Sequence, residues 1–260
     1  MRILCKTVTH QGLVRTSNED SCLIDGWVRT AAMLNAHTEE VTHTPLVVAV
    51  ADGLGGHAGG AVASGLALAR IATRTAGLAK LTEATIGDIL RATHADLLEL
   101  SGLSLNFRGM GTTVAGLAVQ GDEAIIFNIG DSRVYRREGD FLQLLTVDDR
   151  LSGEREFGEA KEAAATNVLL QCLGAQRTSE SPIAHFNTLP LGALETFLVC
   201  TDGVSDVVSL DDIEACMRNP SRRCVEDLAA AVLAAGAPDN FSIIEVRIID
   251  GATLACTGKT

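Results

Sequence analysis

Val47-Val48-Ala49-Val50-Ala51-Asp52-Gly53 is an apolar run that ends in an acid beside a glycine, and Phe197-Leu198-Val199-Cys200-Thr201-Asp202-Gly203 repeats the pattern far along the chain. Short aliphatic and β-branched runs closed by a turn signal read as buried strands. Two further versions occur: Ile125 to Ile129 runs into Gly130-Asp131, and Asp239-Asn240 immediately precedes the apolar run that starts at Phe241. A single Asp-Gly after a strand is an ordinary turn. Repeated with matching strands, the pattern predicts that Asp52, Asp131, Asp202 and Asp239 converge, as hard oxygen ligands that select Mg²⁺ or Mn²⁺ over zinc. So many acids exceed the needs of one ion. A pair of cations about 4 Å apart can bridge a water, lower its pKa and stabilise an in-line displacement at phosphorus.

Around these runs the chain reads as mixed α and β. Other strand-like runs are Leu4 to Thr9, Ser21 to Asp25, Thr112 to Val119 and Arg133 to Arg137, and Glu138-Gly139-Asp140 reads as a hairpin turn. Thr82 caps a helix in which Ile86, Ile89, Leu90, Thr93, Leu97 and Leu98 recur on one face. A helix of small residues covers Ala58 to Leu78, a third follows Ser209 with Asp212 as its capping partner, and a fourth runs from Ser221 until Gly236 and Pro238 stop it. Helices that come two at a time are not the crossovers of a simple parallel sheet. The strands are therefore expected to pair antiparallel with helices outside, in the α+β class. Gly26 to Pro45 reads as a polar loop with Trp27 in it, and its His37 and His43 as solvated side chains without a metal-ligand spacing. No linker or repeat interrupts the chain, so one domain is expected over residues 1–250, followed by a tail over 251–260.

Composition narrows the function classes. With 260 residues and 47% hydrophobic content the chain can bury a core unaided. A net charge of -12 opposes binding to nucleic acid or an anionic membrane, and 3% aromatic residues leave little for base stacking. An acidic protein can still act on phosphate where bound cations reverse the local field. The odd set Cys5, Cys22, Cys172, Cys200, Cys216, Cys224 and Cys256 has no C-x-x-C spacing, which fits a reducing, cytoplasmic setting. Neither a signal-peptide core nor an apolar run of membrane-spanning length is found.

Near the start, Arg15-Thr16-Ser17-Asn18-Glu19-Asp20 sets a cation beside two acids in a loop between strands. Arg15 can bind phosphate oxygens through a bidentate fork, and Glu19 and Asp20 can order water around a metal. The ordered set Arg15-x-x-Asn18-Glu19-Asp20, Asp52-Gly53-Leu54-Gly55-Gly56-His57, Gly111-Thr112-Thr113, Gly130-Asp131-Ser132-Arg133, Asp202-Gly203-Val204-Ser205-Asp206 and Asp239-Asn240 resembles the protein phosphatase 2C (PPM) family of serine/threonine phosphatases, in its bacterial branch. The blocks span Gly12 to Ser242, nearly the whole chain.

The resemblance implies a four-layer α-β-β-α sandwich of two antiparallel sheets flanked by helix pairs. By position, Asp52 would bridge two ions, Mn²⁺ or Mg²⁺, Asp202 and Asp239 would complete the first site, and the Gly53 carbonyl would help hold the second. Glu19 and Asp20 would act through coordinated water, and Arg15 would bind the phosphate, so that Arg15 and Asp52 carry the catalysis. Asp131, Asp202 and Asp206 match residues that hold a third metal in bacterial relatives. The implied partner is a phosphoprotein, such as the substrate of a bacterial serine/threonine kinase, acted on by a monomer, with control of a secretion system among the roles.

Three departures bear on mechanism. Leu54 stands where other members carry a histidine proposed as general acid, with His57 a poor substitute. Leu145-Thr146-Val147-Asp148-Asp149 lacks a histidine often found after the aspartate, and the flap, Arg150 to Thr166, is short and charged. Other readings compete: Gly53-x-Gly55-x-x-Ala58 matches a dinucleotide fingerprint, but no second strand ending in an acid follows at the required distance. Cys216 to Arg222 has the C-x₅-R spacing of thiolate phosphatases, although Pro220 removes an amide donor and the cysteine follows a predicted helix. A phosphoprotein-binding module without turnover is the remaining alternative.

Overall fold

The apolar run at Leu46–Ala51 is buried at every residue because it is covered on both faces, and this explains why it shows no alternation. Val48 and Val50 point into a core between two sheets, whereas Val47, Ala49 and Ala51 pack on helices. The period of two along a strand divides one hydrophobic run between two cores.

The computed structural model describes residues 1–33, 35–55, 58–151, 168–175, 181–218 and 223–249. In chain order the first strands are β1 (Arg2–His10), β2 (Ser21–Ile24), β3 (Trp27–Arg29), β4 (His37–Val41), β5 (Leu46–Ala51), β6 (Gly53–Leu54), β7 (Gly111–Thr112) and β8 (Val114–Gln120). They are followed by β9 (Glu123–Ile129), β10 (Arg133–Glu138), β11 (Phe141–Leu144), β12 (Leu173–Gly174), β13 (His185–Pro190), β14 (Leu194–Cys200) and β15 (Phe241–Ile249). The helices are α1 (Ala58–Thr75), α2 (Glu83–Leu103), α3 (Asp202–Ser205), α4 (Leu210–Arg218) and α5 (Cys224–Ala234).

One sheet has the order β11-β10-β14-β15-β1-β4 and the other β13-β9-β8-β5-β2-β3, while β12-β7-β6 form a small third sheet. All the pairings within them are antiparallel. Side chains such as Val48, Leu117, Phe197, Val199 and Ile244 fill the space between the large sheets. Outside the second sheet, Ala63, Ala67, Leu68 and Ile71 of α1 and Ile86, Leu90 and Leu97 of α2 close one layer. Outside the first, Ile213 and Met217 of α4 and Val225, Leu228 and Val232 of α5 close the other. The expected α-β-β-α sandwich is the observed one, and each such aliphatic side chain contributes roughly 1.5–3 kcal/mol on burial.

Two helix starts follow the expected chemistry. Thr82 Oγ1 accepts from the Thr85 amide at 3.1 Å. Ser209 Oγ accepts from the Asp212 amide at 3.2 Å and donates to Asp212 Oδ2 at 2.6 Å.

The Gly26 to Pro45 segment is not a loop. It carries β3, which pairs with β2, and β4, which pairs with β1, so it supplies an edge strand to each large sheet. His37 is half-buried and stacks on Trp27 with ring centroids 4.7 Å apart, with its Nε2 3.1 Å from Glu39. Only His43 stands in solvent, beside Asp25. Edge strands bury few side chains, and the polar run Thr38-Glu39-Glu40 conceals β4 from a hydrophobic reading. The weakly apolar β11 and β13 escape for the same reason, and the two-residue strands of the small sheet, although buried, are too short to show a pattern. Helix α5 begins at Cys224 instead of Ser221. Gly56, His57, most of the Arg150 to Thr166 flap, Asn219 to Arg222 and the 251–260 tail lie outside the described residues.

Candidate metal centre

Antiparallel pairing explains why acids distant in sequence meet. The end of β14 lies beside the start of β15, with Cys200 opposite Ile243, so the residues just beyond, Asp202 and Asp239, become neighbours in the first sheet. In the second sheet Ser21 lies opposite Ala51, which puts Asp20 next to Asp52. The sandwich then faces one pair against the other. The Asp52 and Asp202 carboxyl groups face each other across the sheets closely enough for each to perturb the protonation of the other. Asp20 Oδ2 accepts from Thr201 Oγ1 and Ser242 Oγ of the opposite sheet, both at 2.8 Å.

The cluster is a funnel. Asp20 is fully buried at its base, Asp52 and Asp202 are half-buried above it, and Asp239 stands near the mouth. Arg15 is exposed at the rim, its guanidinium 2.7 Å from Asp239 Oδ2. Glu19, half-buried, is positioned by its amide, which donates to Asn240 Oδ1 at 2.9 Å. Asn240 also donates to the Gln11 and Ser17 carbonyls at 2.8 Å each, so one side chain fixes the whole Arg15 loop.

Below Asp52, Thr112 Oγ1 donates to its carbonyl at 2.7 Å and the Thr113 amide does so at 2.9 Å. Thr113 Oγ1 accepts from the Asp52 amide at 3.0 Å and bonds Ser132 Oγ at 2.7 Å. Gly53 packs against the Gly60 and Glu19 carbonyls so closely that any Cβ would overlap them. Sequence reasoning assigned no part to Thr201, Ser242, Thr113 or Asn240. No signal near them in sequence could have found these roles, because Thr113 serves Asp52, and Thr201 and Ser242 serve Asp20, from far along the chain.

The electrostatics show how strongly the acids act on one another. Burial, followed by the nearby Asp202 and Asp239 charges, raises Asp20 to about 7 despite its two hydroxyl donors. Burial and the Asp20, Asp202 and Asp239 charges push Asp52 well above the usual carboxylate range. Asp202 is raised by burial and by Asp206. Asp20 Oδ1 is buried without a hydrogen-bond partner. Among the described residues no group of three or more His, Cys, Asp or Glu side chains is already arranged to hold a metal ion. Converging buried carboxylates, an orphaned oxygen and a backbone carbonyl at Gly53 nonetheless fit hard divalent cations, which complete their shells with water.

This carries a pH signature. A folded-state pKa raised above the unfolded value means that the folded chain binds more protons, so the Asp20 contribution is most favourable below about pH 4 and is lost as pH rises toward 7. The melting temperature of metal-free Asp20→Asn protein, minus that of the parent, is expected to increase between pH 4 and pH 8. Saturating Mn²⁺ should reduce that difference at pH 8. A pH-independent difference in thermal melts would contradict it.

Asp131 is buried, 8% exposed, and burial with the Asp202 charge raises it to about 7. Asp206 is held by Arg150 through two bonds of 2.8 and 2.9 Å. Arg150 also lies 3.4 Å from Asp148, which Arg133 clasps at 2.6 and 3.0 Å. Asp149 accepts from the Gly130 amide at 2.9 Å and pairs with His185 of β13 at 2.8 Å, so a histidine reaches this junction from another strand.

The competing sequence readings fail on structure. Strand β5 pairs antiparallel with both β2 and β8, so Gly53-x-Gly55 does not open a parallel βαβ unit. Cys216 lies within α4, and burial pushes its thiol above the ordinary value, the reverse of an activated thiolate.

Comparison with known proteins agrees with this geometry. The family profile for protein phosphatase 2C matches residues 32–253, and Arg15, Glu19 and Asp20 lie ahead of that span. The serine/threonine phosphatase stp of Listeria monocytogenes is 27% identical over 254 residues, covering 92% of this chain and 93% of that protein. Serine/threonine protein phosphatase PstP of Mycobacterium tuberculosis is 29% identical over 257 residues, covering 92% of this chain and 44% of that protein. The solved catalytic domain of PstP, in complex with two manganese ions, superposes with a TM-score of 0.74 at 26% identity, over 96% of this chain and 100% of that one. PppA, a key regulatory component of T6SS in Pseudomonas aeruginosa, gives 0.73 at 25% identity, over 94% and 96%. No described helix is long and apolar enough to cross a membrane. Fold, ordered motifs and relatives lead to one assignment: the chain belongs to the protein phosphatase 2C family and is a phosphoprotein phosphatase.

Proposed function

We propose that the chain hydrolyses phosphoserine and phosphothreonine in proteins, using two divalent cations, Mn²⁺ or Mg²⁺. Asp52 is the shared ligand, Asp202 and Asp239 complete one site, the Gly53 carbonyl serves the other, and Glu19 and Asp20 orient water. The observation that carries this reading is the meeting of Asp20, Asp52, Asp202 and Asp239 from two sheets, with Arg15 at the rim paired to Asp239. When bound, the cations supply Lewis acidity, activating water and offsetting charge on the phosphoryl group. Arg15 binds phosphate oxygens. Its pairing with Asp239 is exposed, 57% and 41%, and such pairs are worth about 0–1 kcal/mol, so exchange for a phosphate dianion costs little. Leu54 offers no proton, and the leaving alkoxide takes its proton from water, of the solvent or of the metal centre.

A third ion at Asp131, Asp202 and Asp206 would have to displace Arg150 from Asp206. Cys5, Cys22, Cys200, Cys216 and Cys224 are free thiols, which supports a reducing, cytoplasmic setting. The reading extends to a monomer acting on the products of a bacterial serine/threonine kinase, with secretion control as one outlet.

The test is Mn²⁺- or Mg²⁺-dependent phosphate release from a phosphothreonine peptide, with a phosphotyrosine peptide as control. Release from the first, lost on chelation, is expected, with much slower release from the second. Metal-saturated protein that binds the phosphothreonine peptide without releasing phosphate would instead be a binding module.

A further inference from the structure

An open groove of about 670 Å³ lies at the end of α2, lined by Leu98, Ser101, Leu103, Ser104, Leu105 and Arg108 together with two glycines. Its composition is unusual for this chain. The protein carries a net charge of -12, yet no acid lines the groove. Arg108 is exposed and makes no ion pair with a described residue. Ser101 Oγ accepts from the Gly109 amide and Ser104 Oγ from the Asn106 amide, which leaves both hydroxyl hydrogens free to donate outward. Beside these donors Leu103 and Leu105 are 75% and 84% exposed. A cation, two hydroxyl donors and two bare leucines match a segment with an acidic and an apolar side chain.

The groove is tied to the catalytic lip by backbone. Gly53 lies opposite Thr112 and Leu54 opposite Gly111, and the next residue, Gly55, packs on Met110 and the Gly109 carbonyl. Gly109 thus lies within about 14 Å of Thr113, whose amide donates to the Asp52 carbonyl, since that is the most four residues can span. An extended substrate covers that span in about four to six residues.

We infer that this groove is a docking site for the phosphoprotein substrate, which engages it through an acidic-apolar segment about four to six residues from the phosphorylated side chain. The inference rests on the proposed phosphatase reading for its substrate class. Arg108 and the serine hydroxyls take the carboxylate, and Leu103 and Leu105 take the apolar side chain. The groove acts on substrate affinity and leaves the chemical step alone.

The experiment compares full-length parent, Arg108→Glu and Leu105→Asp proteins, both changes being at exposed positions that the fold does not need. Substrates are p-nitrophenyl phosphate, a phosphothreonine peptide with an Asp-Leu pair five residues before or after the phosphate, and the same peptides with Lys-Ser there. Each variant is expected to raise KM for the better Asp-Leu peptide about tenfold, with kcat and p-nitrophenyl phosphate kinetics unchanged. Arg108→Glu should prefer the Lys-Ser peptide. Equal KM values for all peptides on all three proteins would overturn the groove. Fluorescence anisotropy of labelled peptides on Mn²⁺-loaded protein is read in parallel. Arg108-dependent binding without turnover would count against the phosphatase reading alone, and turnover with Arg108-independent binding against the groove alone.

Discussion

Asp52→Asn protein is expected to lose metal-dependent turnover by more than about 100-fold, the upper range for residues that only support a metal ligand, while its metal-free form melts higher than the parent. The two effects have one origin. Asp52 is enclosed by Asp20, Asp202 and Asp239, and burial with their charges holds its acid form well above the usual range. A charge on Asp52 is therefore unfavourable to the metal-free fold at neutral pH, where the folded chain holds its proton more tightly than the unfolded one. Asparagine removes that charge, so the metal-free variant is expected to melt several degrees higher than the parent. The gain should disappear when Mn²⁺ is added, because the parent gains the stabilisation of binding and the variant does not. Thermal melts with chelator and with Mn²⁺ give both readings. A variant that melts lower without metal and keeps the full Mn²⁺-induced rise would remove Asp52 from the metal centre.

The second large effect comes from a residue with no side chain. A Cβ on Gly203 would overlap the Asn240 carbonyl and crowd the Phe241 Cβ. Neither wall can retreat: β14 and β15 are paired along their length, and Asn240 is committed to Gln11, Ser17 and Glu19. Gly203→Ala should therefore cost about 3 kcal/mol, at the upper end for overpacking, or about 10 °C in melting temperature. It should also weaken Mn²⁺ binding, because α3 carries Asp202 away from Asp239. Gly102→Ala is the control, since a Cβ there meets open space on a helix and should be neutral or slightly stabilising. Equal melting temperatures for the two variants would show that the close approach at Gly203 is not rigid. Differential scanning calorimetry together with Mn²⁺ titration separates the stability loss from the binding loss.

Much of the architecture was legible because its signals are local. The runs ending at Ala51 and Cys200, the caps at Thr82 and Ser209, and the helices arriving two at a time were enough to expect antiparallel sheets between helix layers. The edges were not legible. β4 pairs along its length with β1, but its exposed face is charged, so its strand character comes from a neighbour more than thirty residues away. The same holds for β13 against β9. The recurring acids were visible as a pattern, whereas the hydroxyls of Thr201 and Ser242 that support Asp20 carry no signal until the sheets face each other.

The sequence by itself determined which residues end strands in an acid, because alternation, turns and caps depend on near neighbours and elementary sterics. Only the tertiary structure decided the rest: that Asp20 and Asp52 from one sheet oppose Asp202 and Asp239 from the other, and that Asp206 is held by Arg150. It also decided that His37 stacks on Trp27 instead of standing in solvent. Carboxylate pKa values and the appetite of a site for cations depend on distance and dielectric, which arise when two sheets close over a common core.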